Sequence, residues 1–288
     1  MSTPTIRPAT FAEIELMLDW ASREGWNPGV DDARLFQQAD PDGFFMAFDG
    51  EQPAAAISVV RHDEEHGFLG LYICHPDYRG QGFGWAVWQA GMRYLEGKVI
   101  GLDGVVEQQN NYRKSGFELA YRNIRFAGLT SGLSSVGTSE AVSGSCRAYG
   151  AEDWTALLAM DEKAAGYRRE ALLASWVAPS DSRHSLVCVA DDGTLQAFAT
   201  IRRCAEGYKA GPVLARSVDH AGELLRQLVS TTSASTLILD VPEPNKEGVE
   251  LASRIGLTAV FETARMYKGK CPRYQLGELF GVASFELG

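Results

Sequence analysis

The stretch with the clearest chemical content is Leu69-Gly70-Leu71-Tyr72-Ile73-Cys74-His75-Pro76-Asp77-Tyr78-Arg79-Gly80-Gln81-Gly82-Phe83-Gly84-Trp85. An apolar strand runs into a loop of alternating glycines, and a helix follows at once. Such a turn gathers free backbone N–H groups at a helix start and aims them at one point, where the helix dipole also favours negative charge. Glycines let the main chain come close to a ligand where a Cβ would collide, and Arg79 adds a cation beside the loop. The chemistry implied is the binding of an anion, above all a phosphate. No Gly-Lys-Ser/Thr follows, so this is not the phosphate loop of a nucleotide hydrolase. The spacing Gly80, Gly82, Gly84, placed after a hairpin, is also not that of a dinucleotide-binding βαβ unit. The cysteines (Cys74, Cys146, Cys188, Cys204, Cys271) form no C-x-x-C pair, and no histidine stands at zinc-ligand spacing from them. They read as reduced thiols, with Cys74 and Cys188 packed in apolar runs, and no metal site is expected.

Around the loop, the elements of the first half follow from local signals. Thr10 and Glu13 make a capping box ahead of Phe11, Ile14, Leu18 and Ala21 at helical spacing, and Gly25 ends that helix. Asp31 or Asp32 starts a second helix through Phe36. Phe44–Phe48, Asp49-Gly50 and Ala54–Val60 read as strand, turn and strand, and Phe68–Cys74 as a further strand. A helix covers Trp85–Leu95, and strand, short helix and strand carry the chain to Phe126. The outline recurs with an offset of about 140 residues: Ser185–Ala190, Asp192-Gly193 and Gln196–Ile201, then Leu237–Asp240, Gly256-Leu257 and a strand to Tyr267. Residues 130–145 are rich in Ser, Gly and Thr and read as a linker between a 1–129 domain and a 146–288 domain. In the second half Asp161, Glu162, Tyr167, Arg168 and Arg169 read as a solvated charged helix face.

The chain has 288 residues and a formal charge of −10. That size fits two cores better than one, and the acidic balance argues against broad nucleic-acid binding, which needs clustered basic surface. No apolar run reaches the roughly 18 residues of a membrane helix, and the N-terminal residues lack a signal-peptide pattern. The expectation is a cytoplasmic protein without membrane or nucleic-acid partners, as monomer or homodimer.

The run Arg79-Gly80-Gln81-Gly82-Phe83-Gly84 resembles the Q/R-x-x-G-x-G/A motif of the GNAT (Gcn5-related) N-acetyltransferases. His75-Pro76-Asp77-Tyr78 before it is typical of the same family, and Asn111-Tyr112-Arg113-Lys114-Ser115-Gly116-Phe117 resembles its Tyr-x-x-x-Gly-Phe signature. The resemblance covers residues 5–127. It implies an α+β (mixed α/β) fold: two GNAT-like domains, each a mostly antiparallel twisted sheet flanked by helices. It implies that Gly80, Gln81, Gly82, Phe83, Gly84 and Trp85 hold the diphosphate of acetyl-CoA, with Arg79 beside them. It further implies that Tyr72, Ile73 and Cys74 line the pantetheine arm.

The activity implied is direct transfer of an acetyl group from acetyl-CoA to a primary amine of a small molecule. Alternatives are a protein N-acetyltransferase, or an acyl-CoA-binding regulator without turnover. Tyr112 matches the family tyrosine by the coenzyme sulfur and is assigned general acid. The strand before the loop lacks the glutamate that many relatives use as a base, and Asp63, Glu64, Glu65, His66, Asp103 and Glu107 stay open for that role. The loop between the first two helices, where the family often sets acceptor selectivity, holds Glu24, Trp26 and Asn27. Its aromatic and acidic side chains suit a cation. In the second half Gly211–Gly222 has no glycine alternation, Pro212 removes a donor, and no tyrosine precedes Gly256 by four. That half is expected to be a degenerate, non-catalytic domain that shapes the acceptor pocket.

Overall fold

A computed structural model describes residues 3–135 and 144–288. The first half contains β1 (Thr5–Pro8), α1 (Phe11–Arg23), α2 (Asp32–Ala39), β2 (Phe44–Asp49), β3 (Gln52–Arg61), β4 (His66–Cys74), α3 (Phe83–Tyr94), β5 (Val99–Val105), α4 (Gln109–Lys114) and β6 (Glu118–Leu129). The second half contains β7 (Ser145–Ala148), α5 (Trp154–Ala165), α6 (Glu170–Trp176), β8 (Arg183–Val189), β9 (Leu195–Arg203), β10 (Tyr208–Ala215), α7 (Val218–Thr232), β11 (Thr236–Pro242), α8 (Lys246–Arg254), β12 (Thr258–Lys268) and β13 (Leu279–Gly281). Thr130–Ser135 forms a 3-10 turn, with Thr130 Oγ1 donating to Ala234 O at 2.7 Å. The rest of the Ser/Gly-rich stretch, 136–143, lies outside the described residues.

The fold is mixed α/β, with a mostly antiparallel sheet between helices. The strand order is β1-β2-β3-β4-β5-β12-β6-β11-β10-β9-β8-β7, with β13 alongside β10. Both halves thus repeat one layout, and they exchange their last long strands. β12, from the second half, pairs antiparallel with β5, and β6, from the first, pairs antiparallel with β11. β6 and β12 pair with each other at the centre.

Reciprocal ion pairs sit on this seam. Arg265 on β12 grips Asp103 on β5, Nε to Oδ1 at 2.8 Å and Nη2 to Oδ2 at 2.5 Å. Arg125 on β6 grips Asp240 on β11, Nε to Oδ1 at 2.7 Å and Nη2 to Oδ2 at 2.8 Å. All four side chains are buried. Each exchanged strand therefore delivers its arginine to the other half's aspartate, in bidentate geometry.

Alternation along the strands feeds two cores in each half. On β3, Ala56 and Val60 face α1, α2 and Trp176 of α6, while Ile57 and Val59 face Val87 and Trp88 of α3. In the second half α7 and α8 cover one face of the sheet and α5 the other. The capping box forms: Glu13 N donates to Thr10 Oγ1 and Thr10 N to Glu13 Oε2. Among the described residues no helix is long and apolar enough to cross a membrane.

Two sequence expectations are corrected. Cys146 and Cys188 stand opposite each other on β7 and β8 and are joined as a disulfide; Cys74, Cys204 and Cys271 are free thiols. Pairing across 42 residues is a matter of strand register and leaves no spacing signal in the sequence. Asp161, Tyr167 and Arg169 are not a solvated face. They are buried, with Arg169 Nε and Nη2 on Asp161 at 2.9 and 2.7 Å, because the segment Val282–Gly288 covers them. Arg169 Nη1 also donates to Gly288 O.

The same segment is held by His62, whose Nε2 lies 2.8 Å from Leu287 O. Burial, and then the nearby Arg169 charge, push the imidazole down to about 3. The unfolded chain binds a proton near pH 6.5 that the folded chain refuses. Stability is therefore complete above about 6.5 and falls as pH drops toward 3, by up to about 1.4 kcal/mol per unit. Unfolding midpoints measured across this window should show His62→Gln with a shallower decline than the parent.

Candidate active site

β4 leads through the turn Pro76–Tyr78 into α3, whose N-cap is Gly82 at φ 91°, with Gly80 before it at φ 77°. Both lie in the left-handed region that favours glycine. Gly82 offers no side-chain cap. Of the first-turn amides of α3, that of Gly84 is directed at the Cys74 sulfur, and Gly82 supplies no cap to the others. Gly84 serves proximity: a Cβ there would come 3.1 Å from Tyr72 Oη. Phe83 is buried in the core, Gln81 Nε2 is bound to Asp77 O at 2.6 Å, and Trp85 is exposed. Arg79 is tied down on both sides, Nε to Cys74 O at 3.1 Å and Nη2 to Glu24 Oε1 at 2.6 Å.

β4 and β5 run parallel, and their pairing stops at Leu69 opposite Leu102. Beyond it a bulge in β4 against β3, with Leu71 at φ 43°, turns the strand away. The strands diverge, and a cavity of about 370 Å³ opens between them. Gly70 to Cys74 form one side, and Asp103, Gly104, Val105, Gln108 and Tyr112 the other. Gly104 is needed there, since a Cβ would fall 2.2 Å from the Tyr112 ring. Burial, then Tyr72, push the Tyr112 phenol up to about 12. Burial, then Cys74, raise Tyr72 to about 12. Burial also raises the Cys74 thiol. All three stay protonated at neutral pH, so the phenols are available as proton donors.

The remaining wall comes from elsewhere in the chain: Glu24 and Trp26 after α1, Arg125 on β6, Phe261 and Thr263 on β12, and Phe285 and Glu286 from the Val282–Gly288 segment. Arg125 lies over the Phe285 ring, 4.8 Å from its centroid. The structure thus brings Glu24, Trp26, Tyr72, Ile73, Cys74, Arg79 and Tyr112 to one cavity. Gly80–Trp85 stand beside it as the start of α3. Asn27 does not line it: at φ 52° its side chain pairs with the Glu206 backbone, Nδ2 to O at 2.8 Å and Oδ1 from N at 3.1 Å.

Of the carboxylates left open by sequence, Asp103 is held by Arg265 and by Asn123 Nδ2 at 2.8 Å. Asp63 accepts from Glu65 N and His66 N and so organises its own turn, away from the cavity. Glu64, Glu65, His66 and Glu107 do not line it either. Glu286, Thr263, Phe261 and Phe285 were not read as site residues. Phe261 and Thr263 fall in the strand expected to run to Tyr267, but nothing local says that this strand crosses into the other half. Among the described residues no group of three potential metal ligands is present.

The matching cleft of the second half is filled by the chain itself. β10 and β11 part after Ala210 and Leu239, and β13 enters between them. It pairs Gly281 with Val213 and Leu279 with Leu214, while Val282 N donates to Asp240 O at 2.8 Å. Phe280 is fully buried there. The N-terminus of α7 is capped by Ser217, which accepts from His220 N at 3.3 Å. One first-turn amide of α7 is thereby satisfied by the chain itself.

Comparison with known proteins agrees with this layout. Residues 11–117 match the "Acetyltransferase (GNAT) family" and residues 157–281 the "Acetyltransferase (GNAT) domain". Holothin acyltransferase from Pseudoalteromonas sp. (strain SANK 73390) is 30% identical over 99% of this chain and 95% of its own. Mycothiol acetyltransferase from Mycolicibacterium smegmatis is 28% identical over 41% of this chain and 48% of its own. The crystal structure of a Pyrococcus horikoshii protein, named as a candidate acetyltransferase, superposes with a TM-score of 0.82 at 21% identity, over 100% of this chain and 97% of that one. A tandem GNAT protein from the clavulanic acid biosynthesis pathway does so with a TM-score of 0.66 at 11% identity, over 93% and 99%. The repeated sheet, the glycine loop opening α3, the splayed β4/β5 pair and these matches place the chain in the GNAT family, as an acyl-CoA-dependent acyltransferase with two GNAT domains in tandem.

Proposed function

We propose that the protein moves an acetyl group from acetyl-CoA to a primary amine of a small molecule by direct attack in a ternary complex. The observation that carries this reading is the open cleft between β4 and β5, which widens into a pocket beside the start of α3, where Gly82 offers no side-chain cap. The first-turn amides from Gly82 onward receive the diphosphate. The edge of β4 from Gly70 to Cys74, left free by β5, pairs with the pantetheine amides as an added strand. Tyr112 Oη gives its proton to the departing sulfur, a role its raised pKa suits.

A small acceptor is supported by the pocket's size and by its closure from the second half. The names of the two relatives, holothin acyltransferase and mycothiol acetyltransferase, also point to small molecules. Trp26, Phe261 and Phe285 favour an acceptor with a flat ring. In this reading residues 1–129 carry the acyl-CoA site. Residues 146–288 bind none and wall the acceptor pocket, with β6 and β12 exchanged between them.

The test is thiol release from acetyl-CoA against a panel of primary amines. Tyr112→Phe is expected to lower kcat about 100-fold while the Kd for acetyl-CoA stays the same. Unchanged turnover would remove Tyr112 from the mechanism, and no thiol release with any amine would refute the transferase reading.

A further inference from the structure

We propose that Glu286, delivered by the segment Val282–Gly288, is the proton acceptor for the incoming amine, and that Thr263 on the exchanged strand β12 positions that amine. This rests on the transferase reading above and assigns the half of the chemistry for which β4 supplies no carboxylate. Glu286 is buried, lines the cavity, and makes no side-chain hydrogen bond or ion pair among the described residues. The other acidic groups around the cavity are committed: Glu24 to Arg79 at 2.6 Å, and Asp103 to Arg265. Thr263 is buried, lines the same cavity, and its Oγ1 has no hydrogen-bond partner among the described residues. Buried hydroxyls are rarely left unpaired, and this one belongs to a residue that lines the pocket.

The backbone holding Glu286 is fixed from several sides. Glu286 N and Leu287 N donate to Ser284 Oγ at 3.2 and 3.0 Å, and Ser58 Oγ to Glu286 O at 3.4 Å. Gly70 admits the segment, since a Cβ there would lie 2.1 Å from Glu286 O. The side chain is therefore presented to the unpaired stretch of β4 by a rigid support, as a catalytic group requires. The charges facing it are Arg125 of β6, bound to Asp240 of β11, and Lys209 of β10, whose Nζ donates to Asn27 O at 3.1 Å. Both cations feel the Glu286 charge. Across the cavity stand Tyr72, Cys74 and Tyr112, which stay protonated at neutral pH.

The step balances as follows. The ammonium gives one proton to Glu286. The freed nitrogen lone pair forms the N–C bond as the C–S bond breaks with its electrons leaving on sulfur. Sulfur takes a proton from Tyr112 Oη, and the second proton shed by nitrogen returns to the Tyr112 oxygen and restores the phenol. One proton is released to solvent in each turnover, from Glu286.

The experiment compares the wild-type protein with Glu286→Gln, Glu286→Asp and Thr263→Val. The substrates are acetyl-CoA and the fastest amine of a panel containing benzylamine, tyramine and putrescine. Glu286→Gln should lose about 100-fold in kcat at pH 7, with the Kd for acetyl-CoA within about twofold of wild type. Its kcat/KM should rise about tenfold per pH unit above 7, because it depends on amine that is already neutral, while the wild-type profile is flatter. Glu286→Asp should keep the wild-type profile at reduced rate, which reads the role even if the Gln variant does not fold. Thr263→Val should raise the amine KM more than it lowers kcat. A Gln variant with wild-type kcat and pH profile overturns the Glu286 assignment alone. A wild-type protein that neither binds acetyl-CoA nor releases thiol overturns the transferase reading and this assignment with it.

Discussion

Replacing Gly82 by aspartate is expected to weaken acetyl-CoA binding on the order of 100-fold while leaving the fold intact. Gly82 is the N-cap of α3 in the left-handed region, and it has no side chain to occupy the first-turn amides. Aspartate tolerates that region better than most residues and is a good N-cap. The variant should therefore unfold at the parent's temperature or slightly above it. Its carboxylate would take the amides assigned to the diphosphate and add a like charge a few ångström away. At intermediate dielectric that repulsion is worth about 3 kcal/mol. Gly82→Ala, which brings strain but no charge, should lose about tenfold at most. Calorimetric titration distinguishes the two; equal affinities for the Asp variant and the parent would remove the loop from the binding site.

Asp240→Ala should destabilise the folded chain by about 3–5 kcal/mol, the usual result of stripping one partner from a buried bidentate pair. Arg125 would keep its charge in the core of the exchange seam, with Trp26 O, at 3.0 Å, as its remaining hydrogen-bond acceptor among the described residues. Converting both residues to apolar ones, Asp240→Leu with Arg125→Met, should cost less than the single change. The pair also carries a pH signature. Burial would raise the Asp240 carboxyl, but Arg125 more than offsets this and holds it below the usual carboxylate range. Its contribution is therefore complete above about pH 4, the unfolded value, and is lost as pH falls through the lower folded one. Urea unfolding at pH 7 and at pH 3 measures both effects. A single variant as stable as its parent would show that the seam does not depend on this pair.

Much of the framework around the candidate site was legible in the sequence because its signals are local. The glycines at 80, 82 and 84 between an apolar strand and a helical run determine a helix start, and the structure places α3 there. Thr10 and Glu13 cap the helix they precede. The repeat between Asp103 and Asp240 was visible as spacing, and both prove to be anchors for arginines on the exchanged strands. What was not legible depends on which strand neighbours which. β6 and β12 have no local feature that chooses a partner, so the exchange, and with it Thr263 and Phe261 in the pocket wall, could not be read. Glu286 lies more than 160 residues from Tyr112 in the chain. It joins the site only because Val282–Gly288 passes from the plugged second cleft across to His62 and Arg169. The reading of Tyr167 and Arg169 as surface failed for the same reason, since the segment that buries them is distant in sequence.

The most direct measurement is a calorimetric titration of the whole chain with acetyl-CoA. One site per chain is predicted, in the β4/β5 cleft, with no second site because β13 fills the β10/β11 cleft. That heat should be lost in Gly82→Asp. Absence of heat with the parent protein, two equivalents bound, or a single site indifferent to Gly82→Asp would contradict the account.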